Sequence, residues 1–364
     1  MMISRRRFLQ LSGALGAAAL IPRTAAAQER FITTQGPWRK FDIVTQLRFQ
    51  KPQGRAQAWI PVPSVNAGEW SKTLGSDWTT NASTARLEQD TANGVDLVYL
   101  EWTGAEAEAT VEISSHAQTR DRVTEFTKPA KAEPMTDAER LRYTAPASFV
   151  PHSDWLKNTA AEITENAKTD LGKAKAIYEW IVEERTCETN DLAVLLGTGD
   201  AATLTPQGCD YLNSLFVHLA RVSGLPAREI YGVRVAPSKY SYKTLSALPE
   251  DVTAEGTARA EVWLADYGWV PASPGDVRRV IRGEAPGNLE LTDPKAVAAR
   301  VTLFGAWEGN WIAYNMANDF VLPESGGVKV PFLIAPRLMS EAGLVSNVEA
   351  EGYAYKLVAN ELPA

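Results

Sequence analysis

The sequence predicts an α+β protein, because its hydrophobic periodicity changes along the chain. Residues 38 to about 122 alternate apolar with polar positions, as the strands of an antiparallel sheet do. From Lys173 the apolar residues fall three and four positions apart, which indicates helices. The chain from about Pro286 to Ala364 reads as a further strand-rich layer. We therefore expect a β-rich N-terminal region, a mixed central region and a strand-rich C-terminal extension.

The apolar positions that carry these two periods are few and well defined. In the first segment they are Phe41, Ile43, Leu47 and Phe49, and the alternation returns at Val111 and Ile113. In the first helix they are Ala174, Ile177, Tyr178, Ile181 and Val182, with Glu183 and Glu184 left for solvent. A second helix has a stripe of Leu212, Leu215, Phe216, Leu219 and Ala220. It ends at Gly224, since glycine suits the positive φ of a helix C-terminus.

The first 27 residues predict a removable export signal. Arg5, Arg6 and Arg7 precede a short apolar run that ends before Ala25-Ala26-Ala27. The run is too short to span a bilayer, and the paired arginines before Phe-Leu resemble a twin-arginine signal. An ordinary secretory signal is the alternative interpretation. We expect a periplasmic or secreted protein without a stable membrane anchor once the signal is removed.

The charge balance argues against one class of partner. Removal of residues 1–27 takes away four of the 37 basic residues and none of the 44 acidic ones, which leaves −11. Nucleic-acid binders depend on basic surfaces, so we expect no nucleic-acid partner. Two cysteines and three scattered histidines show no ligand spacing, so we expect neither a metal nor a cofactor.

Cys209 is the first candidate for chemistry, because it opens the second helix. The unpaired N–H groups of a helix N-terminus favour thiolate over thiol, which suits a nucleophile. Gln207, two positions earlier, could offer its side-chain amide to an oxyanion, or it could be a turn residue. Two strand-like pieces follow at residues 258–264 and 267–274. Their residues Trp263 and Trp269 could line a peptide-binding groove, or they could be core.

The order of these pieces resembles the bacterial transglutaminase-like superfamily. The matching segments are residues 174–184, Gly197-Thr198-Gly199-Asp200, the Cys209 helix, the two strands, and residues 303–315, which resemble an exported subgroup. The resemblance implies a papain-like cysteine site on a core in which the cysteine-bearing helix packs on an antiparallel sheet. It also implies a Cys-His-Asp relay, a histidine four residues before the strand glutamate, and an aspartate before the proline of the last turn.

The relay positions hold other residues in this chain. Thr257 stands at the histidine position and Ser273 at the aspartate position. A threonine hydroxyl cannot act as an imidazole near neutral pH, and serine cannot supply a carboxylate charge. Catalysis would need a substituted base, and the remaining candidates are His116, His152, His218, Asp210, Asp251 and Glu255. Two further states of Cys209 stay open: a disulfide with Cys187, or a small buried apolar residue.

These observations predict four units and leave three functional hypotheses. The units are a signal peptide (1–27), an N-terminal β-rich domain (28–130), the transglutaminase-like core (131–285) and a C-terminal strand-rich extension (286–364). The first hypothesis is an exported protein that is catalytically weak or inactive and holds a peptide or protein segment in its cleft. The second is a cysteine peptidase, amidase or acyltransferase that uses Cys209. The third is a scaffold whose outer sheets make the contacts.

Overall fold

The computed structural model describes residues 30–50, 54–150, 152–187, 208–248, 250–341, 343–345 and 352–363. The predicted signal peptide, the segment 197–200 and Gln207 lie outside the described residues. Within these ranges the chain forms six α-helices and seventeen β-strands. The mixed α+β class predicted from the sequence is confirmed.

The elements follow one another in three groups. The first group contains the strands β1 (Arg39–Gln50), β2 (Ala56–Val62), β3 (Ser71–Thr80), β4 (Thr84–Asp90), β5 (Val95–Trp102), β6 (Glu108–Thr119) and β7 (Arg122–Val123). The second contains α1 (Asp137–Thr144), α2 (Asp154–Thr164), α3 (Asp170–Glu184), α4 (Tyr211–Val222), β8 (Ala227–Arg234), β9 (Gly256–Leu264), β10 (Gly268–Ala272), α5 (Pro274–Gly283) and α6 (Pro294–Thr302). The third contains β11 (Ala306–Trp307), β12 (Trp311–Asn315), β13 (Asn318–Val321), β14 (Lys329–Phe332), β15 (Arg337–Ser340), β16 (Gly343–Val345) and β17 (Tyr353–Leu362).

Two antiparallel sheets make up the β-rich part, with strand orders β17-β1-β6-β3 and β16-β15-β2-β5-β4. Leu47 and Ile113 of the first sheet and Ile60 and Leu100 of the second belong to one buried cluster. Burial of alternate residues is what the period-two pattern predicted. The C-terminal strands complete both sheets, since β17 pairs with β1 from Lys40↔Leu362 to Phe49↔Tyr353 and β15 pairs with β2.

The central region is built around α4, which packs on the sheet β10-β9-β8-β12. The five apolar residues of its predicted stripe are all fully buried. In α3 the five predicted apolar residues are also fully buried, while Glu183 and Glu184 are exposed. Thr169 caps α3 by accepting a hydrogen bond from the N–H of Gly172 at 3.0 Å. The helical stripes therefore set which faces of α3 and α4 meet the core.

His218 is an unusual member of the buried face of α4. It is 2% exposed, and its Nδ1 atom has no hydrogen-bond partner among the described residues. Burial, reinforced by the positive charge of Arg221 and by His152, lowers the pKa of His218 well below its ordinary value. Burial and Arg221 also lower the pKa of His152. Both imidazoles are therefore neutral in the folded protein at neutral pH.

This pair predicts a loss of stability in acid. A histidine with a lowered folded pKa stabilises the fold fully above its unfolded pKa of about 6.5, and the contribution is lost as the pH falls. Each such histidine adds up to about 1.4 kcal/mol per pH unit to the slope of the free energy of unfolding against pH. Urea unfolding of the wild type from pH 7 to pH 5 should show this slope. His218→Leu should reduce the slope by an amount that corresponds to about one proton taken up on unfolding. An unchanged slope in the variant would contradict the assignment.

Candidate functional site

Cys209 lies in a short 3-10 turn, Gly208–Asp210, that leads directly into α4. Its Sγ atom is bonded to the Sγ atom of Cys187, with 4.3 Å between the two Cα atoms. Both cysteines of the sequence are therefore in the disulfide, and Cys209 is 4% exposed. The bridge ties the segment after α3 to the start of α4. A disulfide sulfur is not a thiolate, so Cys209 is not a nucleophile in this state.

Thr257 is close to the cysteine turn, on β9. Its hydroxyl donates a hydrogen bond to Oδ1 of Asp210 at 2.9 Å, and the N–H of Ala258 approaches the other oxygen at 3.4 Å. The side chain is buried and so is Asp210. Since threonine has no titratable group in the neutral range, this contact holds the carboxylate in place but cannot relay a proton.

Ser273 lies between the end of β10 and the start of α5, and it is fully buried. Its backbone N–H donates to the carbonyl of Leu303 at 3.0 Å. Its hydroxyl oxygen has no hydrogen-bond partner in the described part of the chain. The position matched to the relay aspartate therefore carries neither a charge nor an oriented hydrogen bond.

Charged residues that the resemblance did not flag occupy the interior beside Thr257. Arg279 of α5 donates from Nη2 to Oδ1 of Asp210 at 2.7 Å. Its Nε atom lies 3.8 Å from Oδ1 of Asp276, one turn earlier on α5. Arg279 therefore bridges the two carboxylates. The carboxylate beside Cys209 is already held by an ion pair and by Thr257.

Asp276 is the centre of this network. It is fully buried and lies in ion-pair contact with Arg234 of β8 and Arg259 of β9. The contact to Arg259 measures 3.7 Å between Nε and Oδ2. Arg234 also donates to the carbonyl of Leu245 at 3.3 Å. The network thus joins α5 to two strands of the central sheet.

The environment shifts the pKa values of the two aspartates in opposite directions. Burial raises the pKa of Asp210, although Arg279 opposes that rise. Burial alone would raise the pKa of Asp276 as well, but Arg234, Arg259 and Arg279 lower it overall. Burial, reinforced by Arg234, lowers the pKa of Arg259 to about 9, so that this guanidinium stays protonated at neutral pH.

Asn213 fixes the distances from α4 to β9 and to α5. Its Nδ2 atom donates to the carbonyl of Ala258 at 2.8 Å, and its Oδ1 atom accepts from the N–H of Gly275 at 3.0 Å. A Cβ atom at Gly275 would lie 2.3 Å from the carbonyl oxygen of Cys209. Only glycine lets α5 approach the cysteine turn this closely.

The two tryptophans are not brought to Cys209. Trp263 and Trp269 are paired across β9 and β10, and Trp263 stands six residues along β9 from Thr257, about 20 Å at the rise of a strand. Arg228 stacks on Trp269 at 3.8 Å from the ring centroid, and Tyr143 packs edge-on against it. Their role in substrate binding stays a prediction, and any ligand that touched both tryptophans would lie far from the disulfide.

Of the other candidate bases, only Glu255 lies near the charge network: its carbonyl accepts from the N–H of Arg234 at 3.0 Å, and its charge acts on Arg279. His116 bonds to Asp42 at 2.6 Å on the face of β6 and β1, which lie in the β17-β1-β6-β3 sheet. His152 precedes α2, and His218 lies nine residues after Cys209 on α4. Asp251 is exposed and binds Thr253. These residues do not form a relay with Cys209, and no metal-binding group of three acidic, histidine or cysteine side chains occurs among the described residues.

Sequence reasoning missed Asp276, Arg234 and Arg259 as parts of the site. One signal was present: Asp276 and Arg279 are three residues apart in a helix, so they share a face. Arg259 also alternates with Thr257 on β9, so both side chains point to the same side of the sheet. The contact of Arg234, on β8, with Asp276 could not be predicted from the sequence, because it depends on how the strands pair.

Residues 157–274 match the family description "Transglutaminase-like superfamily", a span that includes Cys209, Thr257 and Ser273. The chain contains a transglutaminase-like domain. Residues 2–22 match the signal sequence of the twin-arginine translocation pathway, which indicates export across the membrane. Within the described ranges, no helix combines the length and apolar character that a membrane span requires.

Several known proteins are similar to this chain over part or most of its length. An uncharacterised protein of Haemophilus influenzae (strain ATCC 51907 / DSM 11121 / KW20 / Rd) is 29% identical over 298 residues, which cover 74% of this chain and 76% of that protein. A crystal structure of a proposed cysteine protease from Cytophaga hutchinsonii is 14% identical, with a TM-score of 0.47 and coverage of 91% and 90% of the two chains. The periplasmic domain of TgpA from Pseudomonas aeruginosa is 12% identical, with a TM-score of 0.29 and coverage of 64% and 87%. Similarity of this degree does not assign an activity to the transglutaminase-like domain.

The charge network predicts a large stability effect for Asp276→Asn. The variant keeps the side-chain size but leaves Arg234 and Arg259 buried without their carboxylate, which typically costs about 3–5 kcal/mol. Urea or guanidinium unfolding should show that loss. Asp77→Asn is the matched control, since Asp77 is exposed on β3 and should change stability by no more than about 0.5 kcal/mol. Equal stability of the two variants would show that Asp276 is not the centre of the network.

Proposed function

We propose that this exported protein uses its transglutaminase-like domain to bind a peptide or protein segment, without thiol catalysis. One observation carries the proposal: Cys209, the nucleophile position, is in a disulfide with Cys187. The two relay positions add support, since Thr257 is bound to Asp210 and Ser273 has no charge. Acyl transfer needs a thiolate, a proton donor and a group that orients the donor, and the site supplies none of the three in this state.

Basic side chains beside the disulfide favour acidic residues in the bound segment. A small cavity next to Cys187 is lined by Arg278, Arg282, Ile281 and Asn288, among others. Arg278 and Arg282 are four residues apart on α5 and therefore lie on the same face. Arginine is well suited to carboxylate recognition because its planar group can bind both oxygens. We place this binding event in the periplasm, to which the twin-arginine signal gives access.

A peptide mixture tests this function directly. Mature protein, verified as bridged by an intact mass lower by two hydrogen atoms, should retain acidic peptides from a casein digest on gel filtration and leave their masses unchanged. Arg282→Glu should weaken the retention, because it reverses a charge at the cavity, whereas Arg48→Glu on the exposed face of β1 should not. Cleavage or cross-linking of the peptides that disappears in Cys209→Ala would overturn the proposal.

A second candidate function, a cysteine hydrolase that works after reduction of the disulfide, is favoured by one observation. Asp210 follows Cys209 directly, and burial raises the pKa of its carboxyl group. A carboxylate with a raised pKa can act as a general base nearer to neutral pH. The ion pair with Arg279 opposes that role, since it favours the ionised form and keeps the oxygen occupied. Turnover that appears only with a reductant would support this candidate.

Rebuilding the relay tests the assignment of the three positions. We expect the triple variant Cys187→Ser, Thr257→His, Ser273→Asp to hydrolyse a peptide amide at least ~10² times faster than Cys187→Ser alone, since general acid-base catalysis contributes about that much. The measurement is release of a fluorescent amine from a peptide substrate. The same triple variant with Cys209→Ala is the control and should be inactive. A folded but inert triple variant would show that Thr257 and Ser273 do not occupy the relay positions.

A further inference from the structure

A second cavity lies at the opposite end of α4 from the disulfide. Its volume is about 140 Å³, and its lining includes Arg142, Arg221, Arg228, Glu229 and Asp319. Twelve residues of helical or near-helical chain separate Cys209 from Arg221, which corresponds to roughly 18 Å along the axis. The cavity opens past the exposed side chain of Arg142. It is therefore distinct from the site at Cys209.

Arg221 is a buried cation that has no direct ion-pair partner in the described ranges. It is 7% exposed, and its Nε and Nη1 atoms donate to the carbonyls of Ala227 at 2.9 Å and Ala145 at 3.2 Å. No carboxylate among the described residues lies within ion-pair distance of its guanidinium. Burial lowers the pKa of Arg221, and the charges of Glu229 and Asp319 oppose that shift only from a greater distance. A charge buried without a counter-charge is costly, so such groups are usually paired. This arginine lines the cavity, where a ligand could supply the missing charge.

Asp319 is the complementary case among the residues that line the cavity. One of its oxygens accepts a hydrogen bond from the N–H of Ser148, whereas Oδ1 is buried and has no hydrogen-bond partner in the parts of the chain that the structure describes. Its φ of 56° is in the left-handed region, which costs a non-glycine residue free energy. Strained residues of this kind cluster at ligand sites. Asp319 thus presents an unmatched negative charge to the cavity.

The neighbouring charges of the cavity are already matched. Glu229 is buried and accepts hydrogen bonds from Tyr231 and Asn318, each at 3.0 Å, and from Ser214. Arg228 donates to Glu261 at 2.7 Å. Arg142 is exposed to solvent and donates a hydrogen bond to Asn93 at 2.6 Å. The buried groups of the lining that remain are therefore the guanidinium of Arg221, without a direct ion-pair partner among the described residues, and the Oδ1 atom of Asp319, without a hydrogen-bond partner there. A ligand with a single charge would satisfy only one of them.

We propose that this cavity binds a small zwitterion of the amino-acid type. Its carboxylate pairs with the guanidinium of Arg221, and its ammonium group pairs with Asp319. A volume of 140 Å³ is several times the ~30 Å³ that one water molecule occupies, which matches a ligand with about five or more non-hydrogen atoms. A phosphate dianion fits less well, because it brings no positive group to the Oδ1 atom of Asp319. This site does not depend on the function proposed for the Cys209 region.

Glycine and L-alanine are the probes for the test, with mature protein and isothermal titration calorimetry. We expect saturable binding of both, and weaker binding of acetate, methylamine and inorganic phosphate, which lack one of the two charges or carry too many. The key variant is Asp319→Asn, because asparagine tolerates the left-handed backbone and keeps the side-chain size. It should weaken glycine binding at least about tenfold, while Asp77→Asn on the exposed face of β3 should leave it unchanged.

A second variant tests the other charge. Arg221→Lys keeps the positive charge but loses the planar donor pair, and it should also weaken glycine binding at least about tenfold. Three results would overturn the proposal: no saturable binding of glycine or alanine up to ~10 mM, phosphate or acetate binding as tightly as glycine, or unchanged glycine affinity in Asp319→Asn. Circular dichroism of each variant establishes that it is folded before its affinity is compared.

Discussion

The buried carboxylate of Asp276 is the contact on which the central region depends. It lies at the first turn of α5 and meets guanidinium groups from β8 and β9, while Arg279 extends the network to Asp210 at the start of α4. Each charge would be expensive to bury alone, and together they offset much of that cost. The network therefore fixes where α5 and α4 sit on the sheet.

The same network decides what the cysteine region can do. In a relay, a base near the sulfur must be able to exchange a proton. Here the carboxylate beside Cys209 is held by Thr257 and Arg279, and the sulfur itself is bonded to Cys187. Asn213 and Gly275 keep the backbone of the cysteine turn packed against β9 and α5. The cysteine turn is thus held against β9 and α5 by side chains that stabilise the fold.

The two ends of α4 differ in how their charges are balanced. At the N-terminal end, the arginines and aspartates have one another as partners. At the C-terminal end, Arg221 and the Oδ1 atom of Asp319 face a cavity without matching groups. Removing one partner of a buried ion pair strongly destabilises the fold. A buried charged group without a direct partner is instead a candidate for contact with a ligand. The cavity at the C-terminal end of α4 is therefore the better candidate of the two sites for binding a small polar ligand.

The sequence by itself determined the α+β class, the buried stripes of α3 and α4, and the export signal. Those features depend on periodicity and local chemistry, which a single chain segment carries. Only the tertiary structure decided that Cys187 reaches Cys209, that β17 completes the sheet of β1, and that Arg234 and Arg259 converge on Asp276. These contacts join residues far apart in sequence, and their partners depend on strand pairing and helix packing. No local pattern encodes that choice, because many pairings bury the same apolar residues equally well.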